Sequence, residues 1–312
     1  MNLTIAYMTS RKDPKIEWFA CTLAREIRDS KFSPSQIIVV DFHALQEGRK
    51  EAFKEFFYQF SIDCQVLHVP PKPTVWQGPY KRTKNEYFAA SNARNTAFAL
   101  CQSEFIACID DLSALAPGWL DNVRHAMEHR YIALGAYKKV FNLSMDVDGR
   151  LSFDENPHGV DSRWPRGGNG IAHARGTDLF GCSFAMPIEC ALKVNGFDEI
   201  CDSVSMEDVE FGARLERAGF QFQYNRNMLT YESEELHHTP GNQCFIRNDR
   251  KTKSGLHADW WILEKRVRSH ETWTCGNDFN LREMREKCLA GEPLPIPTKD
   301  TDWATEQPLA EM

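Results

Sequence analysis

The sequence predicts an α/β protein: a sheet flanked by helices. Three observations carry this. Short apolar runs alternate with amphipathic stretches through the first part of the chain, the rhythm of a wound sheet. Those runs are continuously apolar, as strands covered on both faces are. And 312 residues with 42% hydrophobic side chains suffice for one large core or two small ones.

The elements follow in order. Leu3-Thr4-Ile5-Ala6-Tyr7-Met8 reads as a buried first strand, with Thr9-Ser10-Arg11 at its C-terminal end. Residues 14–28 form an amphipathic helix that buries Ile16, Phe19, Leu23 and Ile27. Ile37-Ile38-Val39-Val40 is a second strand that delivers Asp41 where it leaves the sheet. A helix at 50–60 and a short strand at 65–69 come next. Residues 70–80, with four prolines, Trp76 and Tyr80, are a loop by composition. A helix over 89–100 carries Arg94 and Asn95, and a strand over 104–109 ends in Asp110-Asp111. Pro117-Gly118-Trp119-Leu120 opens another helix, and 131–138 is a further strand. Residues 142–153 read as a hairpin turning at Asp148-Gly149. The Gly- and Arg-rich stretch that follows, to residue 178, reads as an irregular loop in which Arg163, Trp164 and Arg166 are candidates for an anionic ligand.

Residues 180–231 are the most informative stretch. A small-residue turn (Gly181, Cys182, Ser183) precedes a short helix at 187–194 and the turn Asn195-Gly196-Phe197-Asp198-Glu199. A second helix opens with Met206-Glu207-Asp208, buries Val209, Phe211 and Leu215, and stops at Gly219. Acids at a helix N-terminus cap it and suit its dipole, which is the bland reading of Glu207 and Asp208. A strand then leads to His237 and His238.

Taken together, the polar turn after strand one, the acid after strand two, Ala93-Arg94-Asn95, Asp110-Asp111 with Pro117-Gly118-Trp119-Leu120, the Asn195–Glu199 run, Glu207-Asp208, Arg214-Leu215 with Gly219, and the late histidine pair resemble the GT-A fold glycosyltransferases. The match is to family 2 enzymes and, over 180–231, also to the galactosyltransferase C-terminal domain. The resemblance covers about residues 1–240. It implies a GT-A (Rossmann-like) mixed sheet flanked by helices, with a C-terminal helical extension. Residues 1–120 would be the nucleotide-sugar half, 121–240 the acceptor half, and 241–312 the extension and a peripheral tail.

The resemblance further implies roles. Thr9, Ser10, Arg11 and Asp41 would hold the nucleotide, and Arg94 and Asn95 would face the donor. Asp110 and Asp111 would lie at the donor, and Asp110, or Asp111 in its place, would hold a divalent metal, Mn2+ or Mg2+, against the two phosphates, because a hard cation with oxygen ligands offsets the charge on a leaving diphosphate. His237 or His238 would be a further ligand. Asp208 would be the base of an inverting transfer, and Glu207 would orient it or the acceptor. The usual D-x-D is broken, since Leu112 stands at the second acid position. Either Asp111 contributes instead, or the metal has fewer protein ligands, or it is held weakly. The implied activity is transfer of a sugar, by family habit from a UDP-sugar, to an acceptor hydroxyl on a glycan, small molecule, protein or modified viral DNA base. The rivals are a nucleotidyltransferase, whose first turn would want glycines, and a degenerate GT-A binding module, suggested by Leu112.

Bulk properties narrow the classes. A net charge of −7 argues against a general grip on nucleic acid or anionic membrane, although 81–84 and 247–253 are local basic patches. A turn of Met8-Thr9-Ser10-Arg11-Lys12 without glycine argues against a dinucleotide fold. The ten cysteines show no metal or C-x-x-C spacing and read as reduced core filler. No apolar run reaches the ~18 residues needed to span a bilayer, and the N-terminus enters a strand without a signal-peptide pattern. The chain therefore reads as cytoplasmic. Polar helical segments are expected at about 260–268 and 279–287, and a Pro- and acid-rich tail from 290.

Overall fold

The computed structural model describes residues 1–72, 89–168, 170–203, 206–239, 275–277 and 279–294. Most of the proline-rich loop, both basic patches, the helical segment at 260–268 and most of the tail lie outside these residues.

One mixed sheet organises them. Its strands are β1 (Leu3–Thr9), β2 (Gln36–Asp41), β3 (Gln65–Val69), β4 (Phe105–Asp110), β5 (Ser113–Leu115), β6 (Ile132–Met145), β7 (Leu151–Asp154), β8 (Ile171–Ala174), β9 (Ser183–Pro187) and β10 (Phe222–Ser233). The order is β3-β2-β1-β4-β9-β6-β10-β5, with β7 on β6 and β8 on β10. β1, β2, β3 and β4 are parallel, β9 runs against both β4 and β6, and β10 is parallel to β6. The two halves expected from the sequence thus share one sheet, joined at β4–β9 and again at β5–β10.

The alternation of β1 shows how the sheet makes two cores. Leu3, Ile5 and Tyr7 point to one face, against α1 (Ile16–Ser30), α2 (Arg49–Gln59) and α4 (Trp119–His129). Ala6 and Met8 point to the other, against α3 (Ala90–Leu100), α5 (Ile188–Lys193) and α6 (Glu207–Arg217). α3 is buried from Ala90 to Ala99, and its alanines allow neighbours to approach closely. After the short α7 (Glu234–His237), α8 (Leu281–Leu289) packs on α3, with Leu281 and Met284 in the core. The expected polar helix at 279–287 is therefore present but anchored by two apolar residues.

Buried acids reach across the fold to cap helices. Glu26 accepts from the backbone N–H of Gly118 (3.2 Å) and Leu120 (3.0 Å) at the start of α4. Asp202 accepts from Ser91 N (2.7 Å) and Asn92 N (3.0 Å) at the start of α3. Each carboxylate meets the positive end of a helix dipole and satisfies N–H groups that have no partner inside the helix.

The hairpin turn falls at Gly149, as expected, but its first strand is the end of a long β6. Part of the stretch expected to be irregular forms β8, which pairs with β10. Its four residues are too short to give a periodic signal.

α6 sits unusually close to the 176–178 turn. A Cβ on Gly212 would lie 1.9 Å from the carbonyl oxygen of Gly176, so only glycine allows this approach. Gly212→Ala must push α6 off its seat, and overpacking of this kind costs about 1–3 kcal/mol. A lowered melting temperature is expected. A Gly212→Ala protein as stable as the parent would show that α6 is not seated this closely.

Candidate active site

The crevice lies beyond the C-terminal ends of the parallel strands, where open α/β sheets bind ligands. Register fixes its floor: Thr9 aligns with Asp41, and Met8 with Asp110. On the far side, the N-terminus of α6 presents Glu207 and Asp208.

Arg94 ties the two sides together. It projects from α3 with 2% of its surface exposed. One Nη lies 3.2 Å from Asp110 Oδ1 and the other 3.2 Å from Glu207 Oε1. Its guanidinium lies 5.2 Å from the centre of the Phe197 ring, and its Nε has no partner among the described residues. Gly181 makes room for it: a Cβ there would lie 2.0 Å from Arg94 Nη2. The backbone N–H of Gly181 donates to Asp208 Oδ2 (3.2 Å), while Oδ1 accepts from Val209 N (2.8 Å).

A second cluster adjoins the first. Arg11 Nε donates to Asp111 Oδ1 (2.9 Å) and Thr9 Oγ1 donates to Asp111 Oδ2 (2.8 Å). Arg11 Nη2 lies 3.3 Å from His237 Nδ1, and His237 Nε2 lies 3.3 Å from Glu232 Oε2. Glu232 is 4% exposed, and its other oxygen has no hydrogen-bond partner among the described residues.

Charge is unbalanced here. Asp110, Asp111, Glu207, Asp208 and Glu232 face two arginines, Arg11 and Arg94. Desolvation pushes Asp110 up to about 7; Arg94 opposes this, while Asp111, Glu232 and Glu207 add to it. Burial, then the neighbouring Glu207, likewise raises Asp208 above the usual carboxylate range, with Arg94 and two backbone N–H groups pulling the other way. The backbone is strained at both acid pairs. Leu112 (φ 59°) follows Asp111 and Met206 (φ 68°) precedes Glu207, both in the left-handed region that side chains disfavour.

The expected site residues divide. Asp110, Asp111, Arg94, Glu207, Asp208, Thr9, Arg11 and His237 are brought together. Ser10 lies in the same turn, where its carbonyl accepts from His43 Nε2 (3.2 Å). Three others stand apart. His238 is turned outward, its Nε2 3.3 Å from Glu234 Oε1 and its side chain 74% exposed. Asn95 is fully buried and is used up on Phe197 N (2.8 Å), Phe197 O (2.8 Å) and Glu199 Oε1 (3.0 Å), so it holds the Asn195–Glu199 turn rather than facing the crevice. Asp41 is also fully buried, bound by Arg49 Nε (2.5 Å), His68 Nε2 (2.9 Å) and His43 N (2.9 Å). Its effect on the first turn is indirect: Arg49 donates to the carbonyls of Arg11 and Lys12, each at 2.7 Å. Arg163 is buried against Asp161 (2.7 Å) and two backbone carbonyls, which removes it as a ligand candidate.

Sequence reading missed Glu232 and Arg49. Glu232 carried a weak signal, being an acid at the end of a strand five residues before His237. Arg49 carried none, since its partner is fixed only when α2 folds over β2.

A divalent cation would suit this donor set. Carboxylate oxygens and one imidazole are suitable ligands, negative charge is in surplus, and one buried carboxylate oxygen of Glu232 is without a partner among the described residues. Among the described residues no three such groups converge on one point, so a cation would be shared with oxygens of the bound molecule.

No protein-family model matches the chain, and no curated protein matches it significantly in sequence. Solved structures do match in fold. Staphylococcus aureus TarS, residues 1–349, in complex with UDP-GlcNAc, superposes with a TM-score of 0.54 at 12% identity, over 93% of this chain and 71% of that one. GalNAc-T7 with UDP, GalNAc and Mn2+ gives 0.52 at 12% identity, over 94% and 59%. Against the longer TarS structure the score is 0.51 at 12% identity, and the chain spans 42% of its length. The fold is thus GT-A, as the sequence resemblance implied.

The Asp41 cluster makes a pH-dependent forecast. Burial alone would raise Asp41, but the hydrogen bonds from His68 and Arg49 and the charge of Arg49 win and hold it below its ordinary value. Its contribution is therefore full above the unfolded value of about 3.9 and is lost as pH falls through the folded value. Asp41→Asn leaves Arg49 buried without its counter-charge, which costs about 3–5 kcal/mol at pH 7. In urea unfolding, the gap between parent and variant should narrow below pH ~4. A gap that stays constant down to pH 3 would mean that the charge of Asp41 contributes nothing.

Proposed function

We propose that this chain is a nucleotide-sugar glycosyltransferase that moves a sugar from a nucleoside-diphosphate donor to an acceptor hydroxyl with inversion. The observation that carries this reading is the Asp110–Arg94–Glu207 bridge, which joins the acid at the end of β4 to the acids that open α6 across one crevice. UDP is the favoured nucleotide, because UDP or a UDP-sugar occupies the related folds of TarS and GalNAc-T7.

Asp208 is the base. It takes the proton of the acceptor hydroxyl as the oxygen attacks the anomeric carbon from the face opposite the diphosphate. The N–H groups of Gly181 and Val209 orient its two oxygens, and its raised pKa makes it a stronger proton acceptor than a surface carboxylate. Glu207, pinned by Arg94, keeps the start of α6 in register with Asp110. Asp110 would hold a divalent cation, with His237 the nearest imidazole candidate. When bound, that cation offsets the negative charge that grows on the departing diphosphate. Thr9 and Arg11 shape the donor side through Asp111.

Leu112 favours a second reading, a GT-A binding module without turnover. Its side chain is completely buried where a second metal acid would stand. Incubation with a panel of nucleotide-sugars plus Mn2+ or Mg2+, with release of nucleoside diphosphate as the readout, separates the two. Release from one donor, raised by the right acceptor, is expected. Binding of a nucleotide-sugar with no release under any condition would establish the module.

Metal dependence gives the next test. Chelator should abolish turnover, and Mn2+ or Mg2+ should restore it. Asp110→Ala should weaken UDP binding when metal is present and leave it unchanged without metal. Full activity in excess chelator would refute the cation's role.

For the base, Asp208→Asn retains shape but not basicity. Transfer should fall about 10²–10⁴-fold while UDP binding and melting temperature persist. Because Asp208 acts deprotonated and is raised by burial and by Glu207, kcat/KM of the parent should climb with pH through a limb above ~4, the ordinary carboxylate value. Near-parental transfer by Asp208→Asn at saturating substrates would exclude it as the base.

A further inference from the structure

The 194–199 turn is gripped from three sides. From α6, the guanidinium of Arg214 donates to the carbonyls of Val194 and Gly196. From α3, Asn95 holds both the N–H and the carbonyl of Phe197. The third grip comes from the C-terminal segment. Asn277 Nδ2 donates to Asn195 O (3.0 Å) and Phe197 O (2.8 Å), and its Oδ1 accepts from Glu199 N (2.9 Å). Gly276 N donates to Asp198 Oδ2 (2.9 Å). Asn195 answers from the turn, donating to Phe279 O (2.7 Å) and accepting from Leu281 N (2.7 Å) where α8 begins.

An asparagine side chain offers two N–H groups and one oxygen. Asn277 spends all of these on this one turn. The carbonyl of Phe197 has two lone pairs, and both are taken, one by Asn95 on α3 and one by Asn277. This fixes a fully buried ring. Its centroid lies 4.0 Å from that of Phe211 on α6, and the Arg94 guanidinium lies 5.2 Å from it. Phe197 is therefore a wedge with α6 on one contact and Arg94 on another. A shift of the wedge moves the surface on which Arg94 rests, and Arg94 joins Asp110 to Glu207. The C-terminal segment has its own anchors, Leu281 and Met284 in the core and Arg285 Nε on Cys101 O (2.8 Å). Loss of the Asn277 side chain should thus loosen the turn and leave the segment seated.

We propose that Asn277 is a positioning residue for the crevice. Through Phe197 it sets where Arg94 lies, and with Arg94 the separation of Asp110 from the acids that open α6. The kinetic part of its test rests on the glycosyltransferase reading given above; the structural part does not.

The experiment uses the full chain. Transfer is measured with a nucleotide-sugar that the parent turns over, and kcat is expressed per UDP-binding chain, so that unfolded molecules are not counted. Asn277→Ala should lower this kcat about 10–100-fold and change the donor KM far less, because misplaced groups cost most in the transition state. A role in stability alone would lower the melting temperature and the number of UDP-binding chains but not kcat per binding chain. Arg282→Ala, which breaks the exposed pair of the same segment with Glu189 (2.6 Å), should keep the parental kcat. If Asn277→Ala does not fold, Asn277→Asp carries the same forecast, since it keeps the acceptor for Glu199 N–H and loses both donated bonds. Amide hydrogen exchange is the second readout: it should quicken in the 195–199 turn and at the start of α6 in the Asn277 variant and not in Arg282→Ala. A parent without transfer would defeat the reading of the crevice, and exchange would then decide the proposal. Parental kcat per UDP-binding chain in Asn277→Ala, or exchange that quickens only within 275–281, would overturn it.

Discussion

The buried guanidinium of Arg94 is the constraint on which the crevice depends. A full charge with 2% exposure is tolerated only when counter-charges meet it. Asp110 and Glu207 do so from different elements, one at the end of a strand and one at the start of a helix. β4 and α6 are therefore held in register by electrostatics as well as by packing. The path that makes this possible is narrow. Gly181 must lack a side chain for Arg94 to pass, and the backbone that it frees then donates to Asp208. The same glycine thus admits the guanidinium and orients Asp208.

Around this centre, acids are placed by backbone that is costly to hold. Leu112 and Met206 both take left-handed conformations beside the acid pairs, and both are held from outside. Leu112 N donates to Pro14 O (3.0 Å), and its carbonyl accepts from Ser233 N (3.4 Å). At α6 the close seat of Gly212 on Gly176 fixes the helix that Met206 must enter. The first turn is supported similarly by Arg49, which is itself held by Asp41. Strain at the site is sustained by well-packed surroundings, as is common where geometry serves chemistry.

How much of this was legible in the sequence varied with the range of the interaction. The strands β1, β2 and β4 were readable because burial on both faces leaves continuous apolar runs, and Gly219 marked the end of α6 because glycine tolerates the positive φ found there, 91°. β5, β8 and β9 were not readable as strands, since three to five residues carry no period and their pairing partners are distant. In the site, Asp110, Glu207 and Asp208 stood out by order along the chain. The fates of Asp41 and Asn95 did not. Both are polar residues beside other site motifs, and only the folded contacts reveal that one supports Arg49 and the other the Asn195–Glu199 turn. Glu232 is one of three acids, with Glu234 and Glu235, just before His237, and only the fold reveals which of them meets it.

The distribution of exposure among the acids gives the crevice its direction. Asp111 and Glu232 keep only 12% and 5% of their side-chain surface open, while Asp110 and Glu207 keep 30% and 20%. The two acids that Arg94 bridges are thus the ones that look outward. Arg94 neutralises one charge between them, and the remaining negative charge faces solvent. In the proposed reading, a diphosphate arriving with a divalent cation would be attracted to Asp110 where a bare diphosphate would be repelled. On the acceptor side of the proposed reading the need is the opposite, for Asp208 would have to remain negative to draw a proton. Arg94, paired with Asp110 and with Glu207 beside Asp208, supplies the positive charge that both groups of acids share.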